Sequence, residues 1–438
     1  MARGSRGWRR ATDPLSAGDG GASAAIRQSP PVTQSILDPQ QSFLDAARPE
    51  AVSAPASGIV EVFNYGMGRQ GLMPLWVGEG DLPTAENITQ AAHRSLAAGE
   101  TFYVAQRGHP DFRDAVARMM TRVYGSPFAE GKGAFGPERF FATIGGMHAL
   151  QLAIRIAAGA GDEAIVLTPA WPNFSGALTI SGARTVEVPL EFARQASGWR
   201  WRLDFERLKA AMTAKTRAIV VNTPGNPSGW TATLDELRAI LSLARQHGLW
   251  IVADEIYGRF YYAGDRAPSF HDVMEEDDRI LFANTMSKNW AMTGWRSGWL
   301  EAPPALGQTI ENMIQYSTSG VPLFVQRGAI EALDNGEDFV ALQRARAEAG
   351  RAVLCDTLGP LERLRFAAPE GSFYMFLSVV GEDDTRKLAF RLVDEAGVGL
   401  APGLAFGAGG EAFLRLCFAR DPADIAEAAR RIAAWVQR

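Results

Sequence analysis

Cysteine, histidine and lysine are all scarce in this chain, and each scarcity excludes something. Of 438 residues only two are cysteine, Cys355 and Cys417. They make neither a CxxC pair nor a disulfide framework, so a reducing, cytoplasmic setting is expected. The five histidines are scattered without ligand spacing, which argues against a histidine-built metal site, and no metal is expected. Long apolar runs are missing too. The most membrane-like stretch, 140–161, is glycine-rich and carries His148 and Arg155. It reads as a loop entering a buried helix, and no membrane partner is expected. Nor does one charge dominate: 44 Lys and Arg face 49 Asp and Glu, a formal net charge of -5 with no basic half. Nucleic acid is therefore not an expected partner.

What is present is ordinary for a globular protein. A hydrophobic fraction of 47% is enough for a large core, and the length suggests two or three domains. The first residues stand apart. Arg3, Arg6, Arg9 and Arg10 precede a Gly/Ser/Pro/Ala-rich stretch that runs to Pro55. No apolar segment follows Arg9-Arg10, which excludes a secretory or twin-arginine signal, and Asp13 and Asp19 count against a transit peptide. A poorly ordered tail over 1–55, or a start codon assigned too early, is the expectation.

Beyond the tail, apolar runs alternate with amphipathic segments. Strands are expected at 164–167, 185–188, 218–222, 249–254, 280–283 and 297–300, and helices at 147–158, 204–213 and 233–247. The last opens on Thr233 with Glu236 three residues on, a capping-box pattern. Continuous Val/Ile runs bounded by helices predict an α/β fold: a mostly parallel sheet covered on both faces, over 85–320. Later, helices at 322–334, 338–357, 385–396 and 422–437 flank short strands at 373–377 and 413–418. That predicts a smaller α+β domain over 321–438, joined by a segment at 56–84.

The five lysines are Lys132, Lys209, Lys215, Lys288 and Lys387, and four of them lie in polar or helix-surface surroundings. Lys288 alone follows an apolar strand, Ile280 to Ala283, among small hydroxyls and tryptophans. Desolvation there favours a neutral, nucleophilic amine able to form a Schiff base. Ligands in open α/β sheets bind beyond the carboxyl ends of the strands. Asn226 in Asn226-Pro227-Ser228-Gly229, Asp254 and Tyr257 in Asp254-Glu255-Ile256-Tyr257, Trp171, and the helix opening Gly145-Gly146-Met147 all fall at such ends. Taken singly each has a plain explanation: a turn, a helix cap, a core aromatic. Their joint order is harder to reach by chance.

In that order the chain resembles the class I and II pyridoxal-phosphate-dependent aminotransferases of fold type I, over about 55–438. Gly78-Glu79-Gly80-Asp81, Thr101-Phe102-Tyr103, Ser287-Lys288 with Arg296 eight residues on, and Phe413-Leu414-Arg415-Leu416 extend the likeness. The resemblance implies a large three-layer cofactor domain, a smaller domain, a homodimer, and pyridoxal 5'-phosphate bound to Lys288. It implies that Gly145, Gly146 and Met147 at a helix N-terminus, the hydroxyls of Thr285 and Ser287, and Arg296 hold the phosphate. Asp254 would face the ring nitrogen, Asn226 and Tyr257 the ring oxygen, and Trp171 the ring face. Tyr103 would reach the phosphate in the partner subunit. Arg415, with Gly78 and Asn226, would take the substrate carboxylate. Lys288, Asp254 and Tyr257 would carry the catalysis.

The implied function is transfer of an amino group between an L-amino acid and a 2-oxo acid by a ping-pong course. The alternative on the same fold is a carbon–sulfur β-lyase. The sequence departs from the pattern in three places. Gly80 stands where many relatives have proline, and Gly320 where they often have asparagine. No arginine lies in 313–316, where dicarboxylate-specific relatives place a second one. Trp76, Tyr65, Trp290 and Phe373 are instead expected to make an apolar or aromatic-friendly pocket.

Overall fold

The computed structural model describes residues 39–438 except 57 and 197. Most of the expected tail, 1–38, lies outside the described residues. Its last part needs correction, because helices Pro39–Ala46 and Pro49–Val52 form there. A proline opens each, and its fixed φ suits the first turn of a helix. Chain contacts divide at residue 48, and the unit from Pro49 onward holds everything that follows.

Seven strands form the central sheet: β1 (Phe140–Thr143), β2 (Glu163–Thr168), β3 (Arg184–Pro189), β4 (Thr216–Asn222), β5 (Trp250–Asp254), β6 (Ile280–Thr285) and β7 (Gly298–Glu301). Their spatial order is β1-β7-β6-β5-β4-β2-β3. From β3 across to β6 every pairing is parallel, whereas β7 runs antiparallel to both β6 and β1. The connection explains the reversal. Only residues 286–297, with a single short turn of helix at Thr293–Trp295, join β6 to β7. That connection holds no α-helix to cross over the sheet, and the strand returns beside its predecessor. Strand β1 also corrects the reading of 140–143 as loop: it is fully buried and pairs with β7.

Alternation along the strands feeds two apolar layers. Ile165, Leu167, Ile219, Val221, Ile251 and Phe282 enter one cluster, and Ala164, Val166, Val220, Val252 and Leu281 the other. Both faces being buried, the runs read as continuous Val/Ile rather than apolar–polar. Helix Leu234–His247 starts at the anticipated box: the Glu236 amide donates to Thr233 Oγ1 at 3.2 Å, and Glu236 Oε2 accepts from the Thr233 amide at 2.8 Å.

A second, antiparallel sheet holds β8 (Leu364–Phe366), β9 (Tyr374–Val379), β10 (Ala401–Pro402) and β11 (Leu414–Cys417), in the order β8-β9-β11-β10. Its residues Tyr374, Phe376, Leu414 and Leu416 share one apolar cluster with the central sheet. The segment after helix Gly58–Gly66 is tied to the same region, since Met73–Pro74 pairs with Val398–Gly399. Helix Leu323–Asn335, near the start of the expected second domain, packs on helices Glu86–Ala97 and Pro110–Tyr124.

Candidate active site

Three strands of the central sheet end at one cavity of about 440 Å³. After β4, Asn222 Oδ1 accepts from the Asn226 amide at 2.8 Å and its Nδ2 donates to the Asp254 carbonyl at 3.1 Å, locking the turn to the next strand. After β5 come Asp254 and Tyr257. After β6 come Thr285, Ser287 and Lys288. The small sheet contributes Arg415 and Tyr374, and Trp76 to Glu79 closes the side. Gly78, Gly146, Met147, Trp171, Asn226, Asp254, Tyr257, Thr285, Ser287, Lys288, Arg296 and Arg415 all line this one space. Gly145 lies just behind it, packed under the Arg296 guanidinium, so close that a Cβ there would be 2.6 Å from Arg296 Nη2. Its φ of +72° is a second reason for glycine.

Helix Gly145–Ala157 begins without a side-chain cap, so its first amides are free to meet a ligand where Gly146 and Met147 reach the cavity. A helix N-terminus of this kind attracts anions. Thr285 Oγ1 and Ser287 Oγ lie 2.9 Å apart beside it, and Arg296, held at φ +53° with Nη1 on the Thr293 carbonyl at 2.9 Å, adds positive charge. This is a donor set suited to a phosphate.

Deeper in, two ionisable groups are displaced from their ordinary behaviour. Asp254 is buried, and desolvation pushes its carboxyl up to about 7, although the Ile256 amide and Lys288 pull the other way. A carboxylate so placed is costly without a cationic partner; a protonated pyridine nitrogen fits that need. Lys288 is half-buried by exposure, but protein surrounds its amine and desolvation brings it down to about 8. Its Nζ donates to the Gly78 carbonyl at 2.7 Å. The residues present therefore fit pyridoxal phosphate at both of its ends.

Arg415 is 3% exposed. It donates to Asn226 Oδ1 at 2.9 Å and to the Trp76 carbonyl, while its guanidinium lies over the rings of Tyr374 and Phe406 at 4.7 and 4.9 Å. Its Nε finds no partner among the described residues. A planar, half-satisfied guanidinium of this kind is ready for a carboxylate.

Tyr103 is elsewhere. It is 95% exposed and borders a separate surface depression with Phe102 and 318–322. The aromatic pocket expected from Trp76, Tyr65, Trp290 and Phe373 is also corrected, since only Trp76 lines the cavity. Tyr65 bonds Asp394 on the surface, Trp290 is core, and Phe373 packs behind Tyr257 at 5.1 Å. Sequence reasoning missed the apolar wall actually present, Ile59, Val60, Phe63 and Val77, as well as Tyr374. The apolar run Gly58-Ile59-Val60 was the available signal for the wall. For Tyr374 it was strand alternation, which needs the β9–β11 register to be useful.

Comparison with known proteins agrees with this geometry. Residues 70–432 match the family "Aminotransferase class I and II". The chain belongs to that family. It is 33% identical over 362 residues to a probable aspartate/prephenate aminotransferase of Aquifex aeolicus, covering 81% of this chain and 88% of that protein. It is 31% identical to an arginine–pyruvate transaminase of Pseudomonas aeruginosa, covering 83% and 89%. The solved structure of a Thermus thermophilus aspartate aminotransferase single mutant superposes with a TM-score of 0.80 at 31% identity, covering 89% and 99%. Fold type I, pyridoxal phosphate as cofactor and transamination as the reaction follow for this aminotransferase. Both curated relatives named here are transaminases, and neither supports the lyase alternative. Among the described residues no helix is long and apolar enough to cross a membrane.

Proposed function

We propose that this aminotransferase moves the amino group of apolar or aromatic L-amino acids to a 2-oxo acid, using Lys288 as the covalent and proton-moving residue. The observation that carries the reading is convergence: a desolvated lysine, a desolvated carboxylate and a half-satisfied arginine meet in one cavity. When bound, pyridoxal phosphate supplies the electron sink that stabilises negative charge on the substrate α-carbon. Lys288 would hold the cofactor covalently through its amine and, once free, would serve as the base that takes the substrate α-proton and the acid that delivers it to the cofactor carbon. Asp254 would keep the ring nitrogen protonated. Tyr257 and Asn226 would bond the ring oxygen, and Trp171 would cover the ring. The Gly146 and Met147 amides, Thr285, Ser287 and Arg296 anchor the phosphate, with Gly145 allowing Arg296 its place. Arg415, Asn226 and the bare backbone of Gly78 orient the carboxylate. A second oxo acid reverses the course, giving ping-pong kinetics.

The side-chain preference rests on charge and shape. Among the described residues the only cations lining the cavity are Lys288, Arg296 and Arg415, each with a role already. Most of what remains is apolar, with Ile59, Val60, Phe63, Trp76 and Val77 on one side, and Glu79 is the one further acid. An acidic side chain would find no partner there and would lose hydration. The exposed Tyr103 fits a phosphate contact in a second copy of the chain, hence a homodimer, and two free cysteines suit the cytoplasm. The test mixes the cofactor-loaded protein with single amino acids and follows the visible absorption band. Phenylalanine, tyrosine or leucine should bleach it faster than aspartate or glutamate, and pyruvate should not form from a thioether amino acid without an acceptor. Bleaching by the dicarboxylic amino acids alone would overturn the preference.

A further inference from the structure

We propose that Tyr374 is a positioning residue that donates its hydroxyl proton to Tyr257 and so commits the Tyr257 proton to the cofactor. The inference rests on the reading that Tyr257 faces the cofactor's ring oxygen. Both phenols are buried, and their oxygens are 2.8 Å apart. Each has one proton, so only one can donate to the other.

The surroundings decide which. Tyr374 is the first residue of β9 and sits on the same face of the small sheet as Arg415 and Cys417 of β11. The Arg415 guanidinium covers its ring at 4.7 Å. A cation over a ring favours negative charge on its oxygen, which makes that hydroxyl the better donor. No cation among the described residues covers Tyr257 in this way. Its ring meets Phe373 edge-on at 5.1 Å and Tyr374 at 5.5 Å. Burial pushes both phenols up; the Arg415 charge is the leading effect after burial at Tyr374 and the least of those acting on Tyr257, and Asp254 works against ionisation of each. The buried thiol of Cys417 faces Tyr374 and Lys288 but is itself held neutral by burial. The chain of donation thus runs Tyr374 to Tyr257 to the site. Successive donors polarise one another, so losing the first weakens the second. Rotation away is blocked on one side, because Tyr374 Oη lies against Gly78, where a Cβ would be 2.3 Å from it.

A donor to the ring oxygen lowers the affinity of the neighbouring Lys288–cofactor linkage for its proton. Tyr374→Phe removes one oxygen and leaves the packing, so the pH midpoint of the visible band should rise by about half a unit to one unit. In a Tyr257→Phe background the same substitution should move it by less than about 0.2 unit, because the relay is already cut. The melting temperature of the loaded enzyme provides the control for packing. An unchanged midpoint in Tyr374→Phe, or an equal shift in both backgrounds, would overturn the relay. Failure of borohydride to trap an adduct at Lys288 in the unaltered enzyme would instead overturn the site reading, and this inference with it.

Discussion

The depressed Lys288 amine makes a quantitative demand on the cofactor-free protein. With its midpoint at about 8 rather than the ordinary 10.5, about one amine in ten is neutral at pH 7. An unperturbed lysine would offer about one in 3,000. Only the neutral amine attacks an aldehyde, so capture of pyridoxal phosphate at pH 7 should gain about 300-fold from burial alone. The assay is stopped-flow absorbance after adding the cofactor to stripped enzyme between pH 6 and 10. The second-order rate should rise about tenfold per unit up to near pH 8 and then level. Asp254→Asn should lower the midpoint slightly, since the carboxylate favours the lysine cation. The same shift has a stability consequence. Between about 8 and 10.5 the unfolded lysine binds a proton that the folded one has released, so the stripped protein should gain stability as pH rises through that window. A capture rate still climbing at pH 10 would refute the desolvation argument, whatever the identity of the bound cofactor.

Three further outcomes are expected. Arg415→Lys keeps the charge but loses the fork, and with each charged hydrogen bond worth about 1.5–3 kcal/mol, kcat/KM for amino donors should fall about 10²-fold or more. Cofactor affinity, measured by equilibrium titration, should change less than about threefold. Gly145→Ala forces a side chain into the left-handed region and against Arg296. It should weaken cofactor binding by about tenfold or more, from about 1–2 kcal/mol of backbone strain plus the displaced guanidinium. Away from the site, Arg139 donates to the fully buried Glu301 at 3.1 Å, and His271 lies 3.1 Å from the same carboxylate. Arg139→Met leaves that charge half-paired and should cost about 3–5 kcal/mol, read as a lower denaturation midpoint with the cavity unaltered.

Which parts of this could be read without coordinates follows from the range of the forces involved. Strand ends carry ligand residues in α/β sheets, so Asn226, Asp254, Tyr257 and Lys288 were legible from apolar runs and the motifs after them. Continuous Val/Ile runs likewise announced a sheet buried on both faces, and Thr233 with Glu236 announced a helix start. These are local signals, set by a few neighbouring residues. The reversal of β7 was not legible, because it depends on the chain after Lys288 forming no crossover helix once β6 is in place. Nor was the fate of four candidate pocket aromatics: only Trp76 reaches the cavity, and burial depth is a property of packing. The meeting of Tyr374 and Arg415 with Gly78, more than 290 positions before either, depends in part on the β9–β11 register, which no local pattern fixes. Sequence alone thus pointed to the residues that gather at the ends of the central strands. The tertiary fold decided which phenol backs Tyr257, which apolar wall lines the cavity and how far Lys288 is stripped of water, because each is the sum of contacts between distant segments.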